Sequence, residues 1–253
     1  MDSRNLADAP AALRRRWWRR ANLPCTVSIG FFCAAFLALN PPSLHGLQFE
    51  NLEVADGVVM NYAISVPERL NTAAGHPTLL ALPPGGQDRR MVEVGLERWL
   101  PELERLGWIV VSPASIGGRL YFQGAEQYLP ALMDHIAGQY PVRDGKFYVF
   151  GISNGGISSF RLAALYPQRV HSITVIPGYP VPLDFNRLER MKDIPVSMIV
   201  GEQDGGWVER SIGAQKRLEA LGGNVSLEIV PGAGHRVFHQ IAPEKVLDLM
   251  LRK

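Results

Sequence analysis

The chain has 253 residues, 47% of them hydrophobic, with a formal net charge of +2. That length and composition suit one domain with a single sizeable core, and no fixed-period repeat or low-complexity tract argues for anything else. Six arginines and two aspartates give residues 1–24 a charge of +4, leaving −2 for the rest. The body therefore has no basic stripe, which argues against a nucleic-acid partner.

Arg14 to Arg20 precede an apolar run, Cys25–Leu39, that ends at Asn40-Pro41-Pro42. A basic region followed by an apolar run of this length suits an export signal, either removed or kept as a membrane anchor through residues 25–39. By the positive-inside rule the remainder lies outside, giving a periplasmic or extracellular location. Residues 1–40 are thus read as a targeting segment and 41–253 as one domain. Both cysteines, Cys25 and Cys33, fall in the apolar run. The domain then has no internal disulfide, thiolate metal site or cysteine nucleophile.

Residues 47–66 alternate around Asp56-Gly57, a hairpin signal that predicts two antiparallel strands. Thr78–Leu82 predicts a short buried strand running into Pro83-Pro84-Gly85-Gly86-Gln87. A helical stretch through Leu96, Trp99, Leu103 and Leu106 follows, closed by Gly107. Trp108–Val111 is the next strand, Gly117–Phe122 a loop, and Ala125–Tyr140 a helix. Lys146–Gly151 is an aromatic and β-branched strand. Asn154 onward has a helical pattern that ends at Pro167. Later strands are predicted at 170–176, 194–200 and 225–230, with helices at 208–221 and 243–251. Buried strands alternating with helices imply an α/β fold: a mainly parallel sheet with helices on both faces and antiparallel strands at the N-terminal edge.

Gly151-Ile152-Ser153-Asn154-Gly155 fits G-x-S-x-G between a strand and a helix. In that context the serine occupies the apex of a strained turn, and a Cβ at Gly151 or Gly155 would strike the adjoining elements. A serine hydroxyl needs a base to become a nucleophile. Of six histidines, only His235 and His239 follow a late strand, and His235 stands in the flexible loop Gly232-Ala233-Gly234. His235-x-x-x-His239 finds no third ligand at a sensible spacing, so no metal is expected. Asp204, just past the strand ending at Val200, is the expected acid; Glu202 and Asp184 are its rivals. The backbone N–H of Asn154 and one N–H from Gly85, Gly86 or Gln87, with Gly85 first by position, are the expected oxyanion donors. Tyr121, Phe122, Tyr179 and Trp207 lie on loops at the same strand ends and are candidate pocket walls.

The order Ser153, Asp204, His235, with Tyr166-Pro167-Gln168-Arg169-Val170, Gly201-x-x-Asp204 and Gly234-His235, resembles an α/β-hydrolase fold serine esterase over residues 47–253. The short interval between Ser153 and the strand before Asp204 makes it most similar to small, cap-less members. These are the phospholipase/carboxylesterase, dienelactone-hydrolase-like, and feruloyl or polyhydroxyalkanoate esterase groups. Pro83-Pro84 departs from the His-Gly-Gly sequence usual at that loop. The resemblance implies hydrolysis of small-molecule, lipid or polymer esters through an acyl-enzyme, with no cofactor. A peptidase resembling the catalytic domain of prolyl oligopeptidases, and a non-catalytic binding module on the same scaffold, are the alternatives.

Overall fold

The computed structural model describes residues 46–70, 73 and 75–252. The targeting segment expected at residues 1–40, and with it both cysteines, lies outside the described residues. Among the described residues no helix is long and apolar enough to cross a membrane.

Eight strands form one sheet: β1 Gln48–Ala55, β2 Val58–Ser65, β3 Thr78–Leu82, β4 Ile109–Pro113, β5 Phe147–Gly151, β6 Val170–Val175, β7 Val196–Gly201 and β8 Val225–Val230. Their spatial order is β1-β2-β4-β3-β5-β6-β7-β8. The β1–β2 hairpin turns at Asp56-Gly57, and β2 pairs antiparallel with both β1 and β4. From β4 through β8 every pairing is parallel. The predicted architecture is therefore the observed one.

Among the described residues six α-helices cover the sheet: α1 Arg89–Leu96, α2 Leu100–Arg105, α3 Leu129–Gln139, α4 Asn154–Leu165, α5 Gly205–Ala220 and α6 Pro243–Met250. Side chains alternate across each strand, so β3 sends Leu80 and Leu82 to one core and Leu79 and Ala81 to the other. The first core packs under α3, α4 and α5, through residues such as Leu132, Phe160 and Leu218. The second packs under α1, α2 and α6, through Val92, Leu103 and Val246. Burial on both faces explains why these strands read as unbroken apolar runs.

Two helical expectations change. The single helix expected before Gly107 is two short ones. Asp88 sets the start of α1 by accepting from the Met91 N–H at 2.9 Å. Pro101, which has no N–H to continue a helix, stands in the first turn of α2 and forces the break before it. The helix expected from Ala125 begins as a 3₁₀ turn, and Pro130 opens α3 proper. A 3₁₀ segment, Pro182–Met191, fills the interval between β6 and β7, where no element was predicted.

Candidate active site

Because β5, β7 and β8 are parallel, the turns that follow them lie along one sheet edge, the usual place for ligands in such sheets. Ser153 follows β5, Asp204 follows β7 and His235 follows β8.

The turn after β5 is tight enough to force Ser153 to φ 56° and ψ −117°, a left-handed conformation that costs a non-glycine residue about 1–3 kcal/mol. Its neighbours make the turn possible. A Cβ on Gly151 would stand 2.2 Å from the Gly155 carbonyl oxygen, and one on Gly155 would stand 1.9 Å from that of Leu82. Gly156 carries the same constraint against Pro177, at 2.2 Å. The three glycines let α4 start against β3 and the chain after β6, with the serine projecting from the apex.

Ser153 Oγ lies 2.8 Å from His235 Nε2, and His235 Nδ1 lies 2.8 Å from Asp204 Oδ2. Asp204 stands at the N-cap position of α5 yet makes no capping bond; its carboxylate faces the imidazole instead. With an Asp at Nδ1, the proton on that nitrogen is held there and Nε2 is left to accept from the serine. The histidine loop is clamped to the end of β7. Glu202 N–H donates to Val230 O at 3.0 Å and Gln203 N–H to Ala233 O at 2.8 Å. Gly201 is a glycine because a Cβ there would stand 2.4 Å from the Ala233 and Gly234 oxygens. Trp207, on the first turn of α5, packs its ring 4.8 Å from that of His235.

The rival carboxylates have other partners. Glu202 accepts from the Gly232 N–H at 2.9 Å, pinning the start of the histidine loop. Asp184 is fully buried and ion-paired with Arg161 of α4, which also holds Glu126 at 2.9 Å. Burial pushes the Asp184 carboxyl above the usual range despite Arg161 and Arg187 beside it. His239 accepts from Arg236 at 2.8 Å. Among the described residues no group of three or more His, Cys, Asp or Glu is placed to hold a metal ion.

As the first residue of α4, Asn154 has a backbone N–H with no intrahelical acceptor. Its side-chain amide donates to the Gly85 carbonyl at 2.9 Å, which ties the loop after β3 to the serine turn. Gly85 and Gly86 are exposed on that loop, and Gly85 has φ +57°. The N–H of Gln87 donates to Pro84 O at 3.0 Å, so the candidates for the second donor narrow to Gly85 and Gly86. Gln87 has another part that sequence reasoning missed. Although its φ is 56°, it is fully buried. Its side-chain amide donates to Pro83 O at 3.1 Å and Ser158 Oγ at 3.0 Å, and its Oε1 accepts from Tyr121 N–H at 2.8 Å. Ser158 Oγ in turn donates to Asn154 O at 2.8 Å. A buried amide with every group bonded rigidifies what it touches, here the loop after β3 and, through Ser158, the Asn154 carbonyl just past the serine. Gly-Gly-Gln after a strand is the only sequence signal of it, and a weak one.

The four aromatic candidates separate. Tyr121 is fully buried and donates its hydroxyl to Ala114 O at 2.6 Å, so it presents no surface to a substrate and supports the loop from beneath. Phe122 is half-buried. Tyr179 and Trp207 are half-buried, with rings 4.8 Å apart, and continue the line of rings from His235.

No protein-family model matches the chain, and no curated protein does. Among solved structures it is similar to a thermostable esterase, at 19% identity and a TM-score of 0.67, over 81% of this chain and 59% of that one. It therefore spans well under two thirds of that esterase's length. It is also similar to the esterase Est2 from Thermogutta terrifontis, at 15% identity and a TM-score of 0.60, covering 83% and 91% of the two chains. A third likeness is to a candidate dipeptidyl aminopeptidase IV from Bacteroides ovatus, at 14% identity and 0.64, covering 80% and 34%. The strand order and these likenesses give the class of the molecule: the chain has the α/β-hydrolase fold.

Proposed function

We propose that the protein is a serine hydrolase acting on carboxylic esters, with Ser153 as nucleophile, His235 as acid–base and Asp204 as its orienting carboxylate. One observation carries the reading. Ser153 Oγ is held 2.8 Å from His235 Nε2 at the apex of a strained turn. Such strain needs a reason, and presenting a nucleophile is one.

In the first step His235 Nε2 takes the hydroxyl proton as Oγ bonds to the acyl carbon. The carbonyl oxygen becomes an oxyanion that accepts from the Asn154 N–H and an N–H of Gly85 or Gly86. Asp204 stabilises the imidazolium. The intermediate collapses, the C–O bond to the leaving alcohol breaks, and His235 returns the proton to that alcohol. Water, deprotonated by His235, then releases the acid and restores Ser153. Esterases among the solved structures of the same fold support ester hydrolysis as the chemistry.

A fluorophosphonate probe tests the reading directly. Labelling of the wild type that disappears in Ser153→Ala is expected. A wild type that takes no label removes the enzyme reading and leaves a binding module. The likeness to a candidate dipeptidyl aminopeptidase favours a second reading, a serine peptidase using the same residues. Chromogenic esters and dipeptidyl anilides assayed side by side separate the two. Export, with residues 25–39 as signal or anchor, completes the proposal, and intact-mass analysis of exported protein tests it.

A further inference from the structure

A groove of about 190 Å³ runs along α5, and Tyr179 in its wall is joined to His235 through the ring of Trp207. Trp207, Arg210, Ala214 and Arg217 recur at helical spacing and so form one stripe of that helix. Trp207 begins the stripe against His235. Arg210, Ala214 and Arg217 then line the groove, with Tyr179, Pro182 and Phe185 opposite. The groove thus lies just beyond Trp207 from the histidine.

Its two cations are held over aromatic faces. Arg210 lies 5.2 Å from the Tyr179 ring centre and donates to that hydroxyl at 3.2 Å; Arg217 lies 4.1 Å from the Phe185 ring centre. Among the described residues neither guanidinium has a carboxylate partner. Arg105, Arg161, Arg169 and Arg187 do have one. Among the described residues Arg89, Arg98 and Arg190 also lack one, so it is the pairing of two such cations in one groove, each over a ring, that sets Arg210 and Arg217 apart. A planar fork fixed over a ring, with no internal anion, suits an incoming carboxylate. The volume also limits the occupant. Sites for whole drug-sized ligands begin near ~300 Å³, so this groove takes one ring or a short chain rather than an extended acyl tail.

We propose that the groove is a substrate subsite for carboxylate-bearing esters. The occupant is an acyl group carrying one ring or a short aliphatic segment that ends in a carboxylate, read by Arg210 and Arg217. The inference rests on the ester-hydrolase reading and names the substrate class within it.

The test compares p-nitrophenyl phenylpropanoate with p-nitrophenyl para-carboxyphenylpropanoate. A wild-type kcat/KM ratio favouring the carboxylated ester by about tenfold is expected, the scale of two partly exposed guanidinium pairs. It should shrink at high salt, since exposed charges are screened. In the double variant Arg210→Gln/Arg217→Gln the ratio falls to about one. Gly213→Leu, which fills the groove from a helical position with nothing within 4 Å of its Cβ, lowers the ratio with both charges in place. A wild-type ratio of one, or a preference that survives the double variant, overturns the proposal. Calorimetric titration with para-carboxyphenylpropanamide and with phenylpropanamide keeps the question independent of turnover. Tighter binding of the carboxylated amide, lost in the double variant, supports the subsite even in a protein that hydrolyses neither ester. Equal binding of the two amides overturns it even where ester hydrolysis is established.

Discussion

The two edges of the parallel half of the sheet contrast in size and in chemistry, and in opposite senses. The larger hollow, about 770 Å³, lies where β5, β6 and β7 begin, lined by Arg143, Lys146, Tyr148, His171 and Arg190 among others. The smaller groove, 190 Å³, lies near the edge where those strands end, with Tyr179 of its wall joined to His235 through the Trp207 ring. At the strand starts Asp144 also has a positive φ, 54° with ψ 15°, but this is the ordinary left-handed region that aspartate tolerates, and the groups around it make surface pairings. His171 Nε2 meets the Arg143 carbonyl at 3.2 Å and stands 3.8 Å from Asp144. At the strand ends Ser153 is strained, Gly151, Gly155 and Gly156 stand where a Cβ would strike backbone, and the Asn154 N–H has no acceptor within its helix. Volume marks where loops diverge; strain with convergent polar groups marks where chemistry is built.

The largest expected effects fall at the strand-end edge. Ser153→Ala and His235→Ala each lower kcat by about 10⁴-fold or more, and Asp204→Asn by roughly 10³-fold. Melting temperatures should stay near wild type, because each side chain is lost from a partly open site. Loss of activity accompanied by unfolding in all three would mean that the strand-end cluster is structural, and the contrast between the edges would fail.

Next in size is Gly155→Ala. The new methyl would stand 1.9 Å from the Leu82 oxygen, with backbone rather than a movable side chain in its way. A loss of about 3 kcal/mol or more is expected in urea denaturation. The same substitution at Gly145, near the start of β5, meets nothing within 4 Å; its positive φ of 64° leaves only a conformational cost of about 1 kcal/mol. Equal losses at the two glycines would show that the tight turn after β5 is looser than its contacts imply.

Two amides then separate position from stability. Asn154→Ala removes the exposed bond to the Gly85 carbonyl. It should cost about 1 kcal/mol or less in stability while lowering kcat about tenfold with KM little changed, as expected where only the transition state loses support. Gln87→Ala strips partners from the buried Tyr121 N–H and Ser158 hydroxyl and should cost about 3 kcal/mol. An Asn154→Ala enzyme with full turnover would remove the tether from the oxyanion site.

Much of this edge is legible in the sequence because each chemical residue directly follows a buried strand. Ser153, Asp204 and His235 could be ordered from apolar runs and the glycines beside them. What was not legible depends on contacts made across the fold. Tyr121 has the composition of a pocket wall, but Gln87, 34 residues earlier, accepts its N–H and draws it inside. Gln87 itself has no periodic signal, since its partners are Pro83, Ser158 and Tyr121. The break between α1 and α2 was hidden because Leu96, Trp99 and Leu103 keep a helical spacing and are all buried, while the local cap and Pro101 decide the backbone. The segment Pro182–Met191 follows no apolar period; Asp184 is held there by Arg161, a partner on another element.

The smallest effect belongs to the strand-start edge. His171 stacks on Tyr148 with ring centres 4.8 Å apart, and burial is the main cause holding its imidazole below the ordinary range. Lys146 and Arg143 push the same way, while Asp144 and the Arg143 carbonyl oppose. A histidine with a depressed pKa binds its proton less readily folded than unfolded. Stability contributed by the neutral ring is therefore present above the unfolded value of about 6.5 and is lost as pH falls from there toward the folded value. His171→Phe keeps a ring on Tyr148 and removes the titration. The difference in unfolding free energy between wild type and variant should shift with acidification against the wild type, with ester turnover of the variant within about twofold. A variant with wild-type acid sensitivity would place that sensitivity elsewhere. One with collapsed turnover would carry the chemistry to the strand-start edge of the sheet and undo the contrast between the two.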